Sequence, residues 1–394
     1  MNKRQLSLSL YLNYFIHGFG LIILTQNMQA LSNHWQTPIA TVSYVVSGVG
    51  IGRLVAYFIL GNLSDHFGRK IFVNVGMLSY FIFFVGMAFV KNIQVAYMLS
   101  ILAGIANSAL DSGTYTTFIE MGSPQGSANV LIKAFVSCGE FILPLVVANL
   151  ESNKLWYGWS FMIAAVILVF NFVFLNRQKF PPRNQDDVET ESASQELTGT
   201  KKIIVSVSLM GYGYTAMALM ILYTQWITLF VRKTFNFSMS LSHWLLSLYS
   251  IGSITGVIII FLLLRKGIPE NKLLLMLNIM SLLALAIVCY SPIAIISMLA
   301  AFAFGFSAAG GVLQMGLNLF IKLYPHVKGR ITGVYFTFGS LASFSIPIIT
   351  GWLSKQSTAS AMRFDLIIGI AGVIFTGLTH WALTTSKTNL QKEQ

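Results

Sequence analysis

The sequence predicts an all-α integral membrane fold: twelve transmembrane helices in two six-helix pseudo-repeats around a central cavity. Three observations carry this. Of 394 residues, 55% are hydrophobic and only 10% charged, where a soluble domain carries about 25% charged residues. Twelve apolar stretches, each long enough to cross a hydrocarbon core of about 30 Å, take up most of the chain. The second six also echo the first, residue for residue, at several positions.

Span 1 is expected over residues 8–31. It follows a basic start, Met1 to Arg4, but is too long for a signal peptide and lacks a small-x-small cleavage site, so it is read as a retained helix. Spans 2 to 6 follow over 39–63, 71–90, 94–120, 128–150 and 158–176, closing an N-terminal half at residues 1–176. A cytoplasmic linker is expected over 177–202, where Pro181, Pro182, Asp186, Asp187, Glu189, Glu191 and Glu196 break the apolar pattern. Spans 7 to 12 over 203–231, 241–264, 273–290, 293–320, 331–353 and 364–385 make the C-terminal half, residues 203–394.

The charge of +12 is no argument for a nucleic-acid partner, because in a membrane protein its placement matters more than its sum. Most of the 25 basic residues fall on one side, among them Lys3, Arg4, Arg69, Lys70, Lys201, Lys202, Arg265, Lys266, Lys328 and Arg330. The other side holds Lys91, Lys154, Arg232, Lys233, Lys355 and Arg363. Both termini are therefore expected in the cytoplasm of a multi-pass protein of a bacterial inner or plasma membrane.

The internal echo is specific. Ile22-x-x-Thr25-Gln26 returns as Ile221-x-x-Thr224-Gln225, and Ser47, Ile51, Gly52 as Ser247, Ile251, Gly252. Asp111, Gly113, Gly126 and Phe141-x-x-Pro144 stand against Gln314, Gly316, Gly329 and Phe344-x-x-Pro347. Parallel six-helix repeats are built for a site between the halves, reached alternately from each side.

Between spans 2 and 3, Gly61-Asn62-Leu63-Ser64-Asp65-His66-Phe67-Gly68-Arg69-Lys70 resembles the signature of the major facilitator superfamily, roughly G-x-L-a-D-r-x-G-r-[K/R]. Gly61, Asp65, Gly68, Arg69 and Lys70 are accordingly read as a gating cluster. Gly61 allows close helix approach, and Arg69 and Lys70 supply donors for carboxylates or helix C-termini. The equivalent loop of the second half, Leu264 to Lys272, keeps charge but loses the pattern, so the latch is expected on one side only. The resemblance implies a transporter, working as a monomer.

Ionisable groups at membrane depth are costly and usually face a cavity or a partner. Four are singled out: Arg53, Asp111, Lys133 and Glu140. Arg53 and Asp111 fall at similar depth and are expected to pair. Lys133 and Glu140, seven apart, share a face. Asp111 or Glu140 is the expected proton carrier, tuned by Arg53 or Lys133. The second half is read as neutral at this depth. Its Tyr223, Gln225, Trp226, Gln314 and Asn318, with Gln26, Asn27 and Tyr115 of the first half, make a site of amides and aromatic faces suited to a neutral polar solute.

Spans 4 and 5 are similar in layout to the fucose–proton symporter branch of that superfamily, in which an acid of span 4 is functional, although span 1 here offers Asn13, His17, Gln26 and Asn27 in place of a second acid. The motifs of the drug–proton antiporters, an arginine high in span 4 and G-x-x-x-G-P-x-x-G-G in span 5, are not found. The expected activity is alternating-access transport of a small, sugar-like or otherwise polar solute by proton symport. A proton-driven exporter of amphipathic or cationic compounds, or a lipid translocase, stays open beside it. No phosphate loop, catalytic constellation or metal-ligand spacing occurs, and Cys138 and Cys289 lie singly in apolar stretches. An enzyme, a cofactor and a metal site are therefore not expected.

Overall fold

The computed structural model describes residues 3–121, 125–181, 199–324 and 328–392, with side chains 57–67, 125–130 and 386–392 among those left undescribed. Within these bounds the chain is helical throughout: α1 Lys3–Gln26, α2 Met28–Trp35, α3 Ile39–Phe67, α4 Arg69–Phe89, α5 Ile93–Glu120, α6 Gln125–Ser152 and α7 Gly158–Asn176. The second half follows with α8 Gly199–Phe235, α9 Met239–Arg265, α10 Glu270–Tyr290, α11 Ala294–Phe304, α12 Val312–Leu323, α13 Lys328–Leu353 and α14 Thr358–Lys392. Twelve crossings are long and apolar enough to span a membrane. In hydrocarbon each backbone polar group must be satisfied internally, which a helix does by itself.

Two crossings are broken where the sequence reads as continuous. The first divides at Asn27 into α1 and α2, and the Asn27 amide donates back to the Ile23 carbonyl at 2.8 Å. The tenth divides into α11 and α12 through a π-helical turn, Gly305–Ala309, and a left-handed Gly311 at φ 99°. There Ser253 donates to the Ala309 carbonyl at 3.0 Å and Tyr335 to the Leu313 carbonyl at 3.0 Å, satisfying backbone that the break exposes. Apolar periodicity says nothing about such breaks, because both flanks remain apolar.

Alternate crossings run in opposite directions, so the loops divide between two faces. The face carrying the connection between α7 and α8 is called here the linker face and the other the far face. Glycine sets the closest approaches. A Cβ at Gly52 would strike the Ile101 carbonyl and Gly104 of α5, and one at Gly252 would strike the Phe302 carbonyl of α11. The two residues matched by the internal echo thus do the same job, each seating span 2 or span 8 on its neighbour. The halves meet chiefly where α3 packs on α13 and α6 on α9, two pairs that the repeat exchanges.

Linker-face ends are tied within each half. Gly68, at φ 90°, separates α3 from α4, and Lys70 donates to the carbonyls of Asn176 at 2.9 Å and Gln178 at 3.3 Å. Asn176 is the last residue of α7 and Gln178 stands just past its end, where a cation is favoured. In the second half Lys322 and Glu270 form an ion pair at 2.9 Å. Gly61 and Asp65 lie in helical backbone whose side chains fall outside the described residues, as does linker segment 182–198.

Candidate functional site

Each half offers the other a serine from its second crossing. Ser43 of α3 donates to the Pro347 carbonyl of α13, and Ser247 of α9 donates to the Phe141 carbonyl of α6 at 2.9 Å. Both bonds end in the Phe-x-x-Pro turns that the echo pairs. Ser43 also accepts from the Gln225 amide at 2.5 Å, and Ser137 donates to Ser253 at 3.4 Å.

Nearer the far face lies a charged lock. His243 of α9, 1% exposed, places Nδ1 2.9 Å from Gln26 Oε1 and Nε2 3.2 Å from Glu151 Oε2. Arg232 at the end of α8 donates to the same Glu151 oxygen at 3.3 Å. One carboxylate of the first half is held by two groups of the second, in a setting where only part of each side chain reaches water. Beside it a cavity of about 390 Å³ is lined by Asn27, His34, Glu151 and Tyr157 among others. Of the sequence candidates only Gln26 belongs to this lock. Glu151, His243 and Arg232 stand near span ends, where a charge is cheap and carries no signal.

The four predicted charges are all held by neighbours. Arg53, 8% exposed, reaches across the interface, its Nη1 donating to Ser343 at 3.4 Å and lying 3.9 Å from the Met217 sulfur. Asp111, half-buried on α5, accepts from the Tyr14 hydroxyl at 2.7 Å. Tyr115 stands one turn along with its ring 6.0 Å from that of Tyr14. Lys133 and Glu140 come together at 4.0 Å on α6.

The predicted amide and aromatic residues are not gathered into one group. Asn27 turns to Ser160 of α7 at 3.2 Å, within its own half. Gln225 faces the first half, whereas its neighbours Tyr223 and Trp226 are fully buried inside the second. Gln314 and Asn318, four apart on α12 just past the break, are exposed. The second half is also not neutral at depth. Asp365 of α14 is fully buried, a correction to the reading of four intramembrane charges confined to the first half. It stands two residues into its predicted span, where it reads as a boundary residue, while α14 begins a further turn and a half upstream.

Comparison with known proteins agrees with this architecture. The family model described as Major Facilitator Superfamily matches residues 10–347. The chain is 42% identical over 380 residues to the inner membrane transport protein YdiM of Escherichia coli (strain K12), covering 94% of this chain and 93% of that one. It is 35% identical over 378 residues to the MFS-type transporter YfkL of Bacillus subtilis (strain 168), covering 92% of each. In fold it is similar to a D-xylose–proton symporter, with a TM-score of 0.78 at 14% identity over 96% of this chain and 97% of that one. A nucleoside transporter, NupG, gives a TM-score of 0.72 at 16% identity over 97% and 99%.

Proposed function

We propose, for a chain that belongs to the Major Facilitator Superfamily, secondary transport of a small polar solute by alternating access, with proton symport as the driving mode. The observation that carries this reading is where the cross-half bonds sit. Those of Ser43, Gln225, Gln26, His243, Arg232 and Glu151 gather from mid-bundle to the far face, and the Arg53–Ser343 bond at 3.4 Å crosses at the depth of Asp111. The half-buried Asp111 and partly exposed Lys133 lie further toward the linker face. Two bodies sealed at one end by reversible polar contacts have a second state available in which those contacts part.

With both termini cytoplasmic, as the basic residues favour, the far face is the outer one and this state is closed to the outside. Residues 1–176 and 203–394 then rock against each other about the α3–α13 and α6–α9 contacts. Asp111, hydrogen-bonded by Tyr14, and Glu140, beside Lys133, are the acids proposed to load and release the proton. Tyr115, Gln225, Gln314 and Asn318 offer hydroxyl and amide groups to a neutral, sugar-like solute. The break in the tenth crossing supports a site there, because discontinuous helices at membrane depth commonly mark transporter binding sites. Glycine at that break lets backbone approach a ligand closely.

The test is uptake into proteoliposomes of sugars, organic acids and cationic drugs, with and without an imposed proton gradient. Gradient-driven accumulation of a polar solute, lost in Asp111→Asn or Glu140→Gln while solute exchange persists, is expected. Extrusion of cationic cargo would replace the reading with that of an exporter, and flux indifferent to the gradient with that of a facilitator.

A further inference from the structure

Antiparallel packing of α8 on α14 gives a continuous seam. A Cβ at Gly372 would lie 3.5 Å from Thr215 Oγ1, and one at Gly369 would lie 3.8 Å from Leu219 Cδ2. Thr215, Leu219, Tyr223 and Trp226 follow at intervals of four, four and three, so they share one face of α8. Stepping from Gly369 by four and then three residues toward the start of α14 brings Asp365 level with Tyr223 and Met362 level with Trp226. All four of these residues are fully buried.

Three polar groups on this seam lack partners among the described residues: both carboxyl oxygens of Asp365, the Tyr223 hydroxyl and the Trp226 indole N–H. An ionised carboxylate buried without a donor is strongly disfavoured, whereas a neutral acid is tolerable. Two buried donors on the facing helix have no acceptor. Among the described residues no cation pairs with the acid. Tyr223 of α8, Tyr249 of α9 and the Cys289 thiol of α10 lie within its electrostatic reach. Arg363, two residues away on α14, is directed over the Tyr290 ring at 5.0 Å. The described titratable groups of α13, Arg330 and Tyr335, stand in its first turns, toward the linker face.

We infer that Asp365 is a proton-binding site of the C-terminal half, carrying the proton in this state and releasing it when α8 brings Tyr223 and Trp226 into hydrogen-bonding register with the carboxylate. Loading is the addition of one proton from water to a carboxylate oxygen. Release returns it, and the two idle donors then hold the anion. The seam is connected to the moving interface through α8 itself: Gln225, between Tyr223 and Trp226 in sequence, is bonded to Ser43 of the other half. Any turn of α8 that breaks that bond also moves the two donors. The coupling to transport rests on the alternating-access reading, whereas proton binding at Asp365 does not.

Infrared spectroscopy of the full-length protein in lipid nanodiscs, titrated with acid and base, tests the site directly through the carbonyl stretch of a neutral carboxylic acid. The expected result is a wild-type band that persists above the pH at which exposed carboxylates ionise, is lost in Asp365→Asn and is shifted in Asp365→Glu. It should persist in Asp111→Asn and Glu140→Gln, and move in Tyr223→Phe. Resistance of Cys289 to alkylation reports that each variant is folded. Superimposable wild-type and Asp365→Asn spectra at every pH would overturn the proposal, and so would a band that responds to sodium and not to pH. If the band behaves as expected but the wild type shows no gradient-driven uptake, the site stands and the symport reading falls.

Discussion

His243 and Glu151 meet across the two halves of the molecule, Nε2 to Oε2 at 3.2 Å, and each also holds a second partner, Gln26 and Arg232. On the alternating-access reading the contact is made only while the far face is closed, so it contributes to one conformation and not to the other. Hydrogen bonds to charged groups contribute about 1.5–3 kcal/mol each, enough to set the balance between the two states.

Glu151→Gln and His243→Ala are therefore expected to shift the equilibrium toward opening at the far face by about one to two orders of magnitude, taking roughly 1.4 kcal/mol per tenfold. The check is labelling of a cysteine introduced at Thr228 by a membrane-impermeant maleimide, which should accelerate by a comparable factor in either variant. An unchanged rate would show that the lock contributes nothing to closure.

Gly50 and Gly52 separate closure from folding. A side chain at Gly50 would fall on the Phe344 backbone of the opposite half, while one at Gly52 would fall on the Ile101 carbonyl within the same half. Gly50→Val is expected to fold normally and lose net transport with the far face held apart. Gly52→Val is expected to lower thermal stability, since overpacking costs about 1–3 kcal/mol. Thermal unfolding and the Thr228 labelling rate, measured on both, distinguish the two outcomes.

Gly311 holds the tenth crossing open at φ 99°, a conformation that costs an L-residue about 1–3 kcal/mol. Gly311→Ala should lower stability by that order and weaken solute binding more than Gly333→Ala, where the added Cβ meets nothing within 4 Å. Equal effects of the two on binding would show that the break has no part in the site.

Cys138 is exposed and Cys289 buried. A lipid-soluble maleimide should modify Cys138 in the native protein and reach Cys289 only after denaturation, as read by mass spectrometry. Early modification of Cys289 would mean that α10 opens in the native state.

The sequence by itself determined the number of crossings, the doubled architecture and the motif between α3 and α4. Each follows from a local property: apolar length against bilayer thickness, a repeated residue pattern, and a loop signature. It also singled out Arg53, Asp111, Lys133 and Glu140 as candidates, because a charge inside an apolar run stands out. What sequence could not show is which residues meet across the interface. Glu151, Arg232 and His243 come from three helices and look ordinary at span ends; only packing brings them together. Asp365 is distinguished by burial alone, which depends on where α8, α10 and α14 close around it. Tyr223, Gln225 and Trp226 are nearly adjacent in sequence yet face opposite ways, because about 100° of rotation per residue assigns neighbours to different surfaces. Which of those surfaces turns to the partner half and which to the interior was decided by tertiary structure.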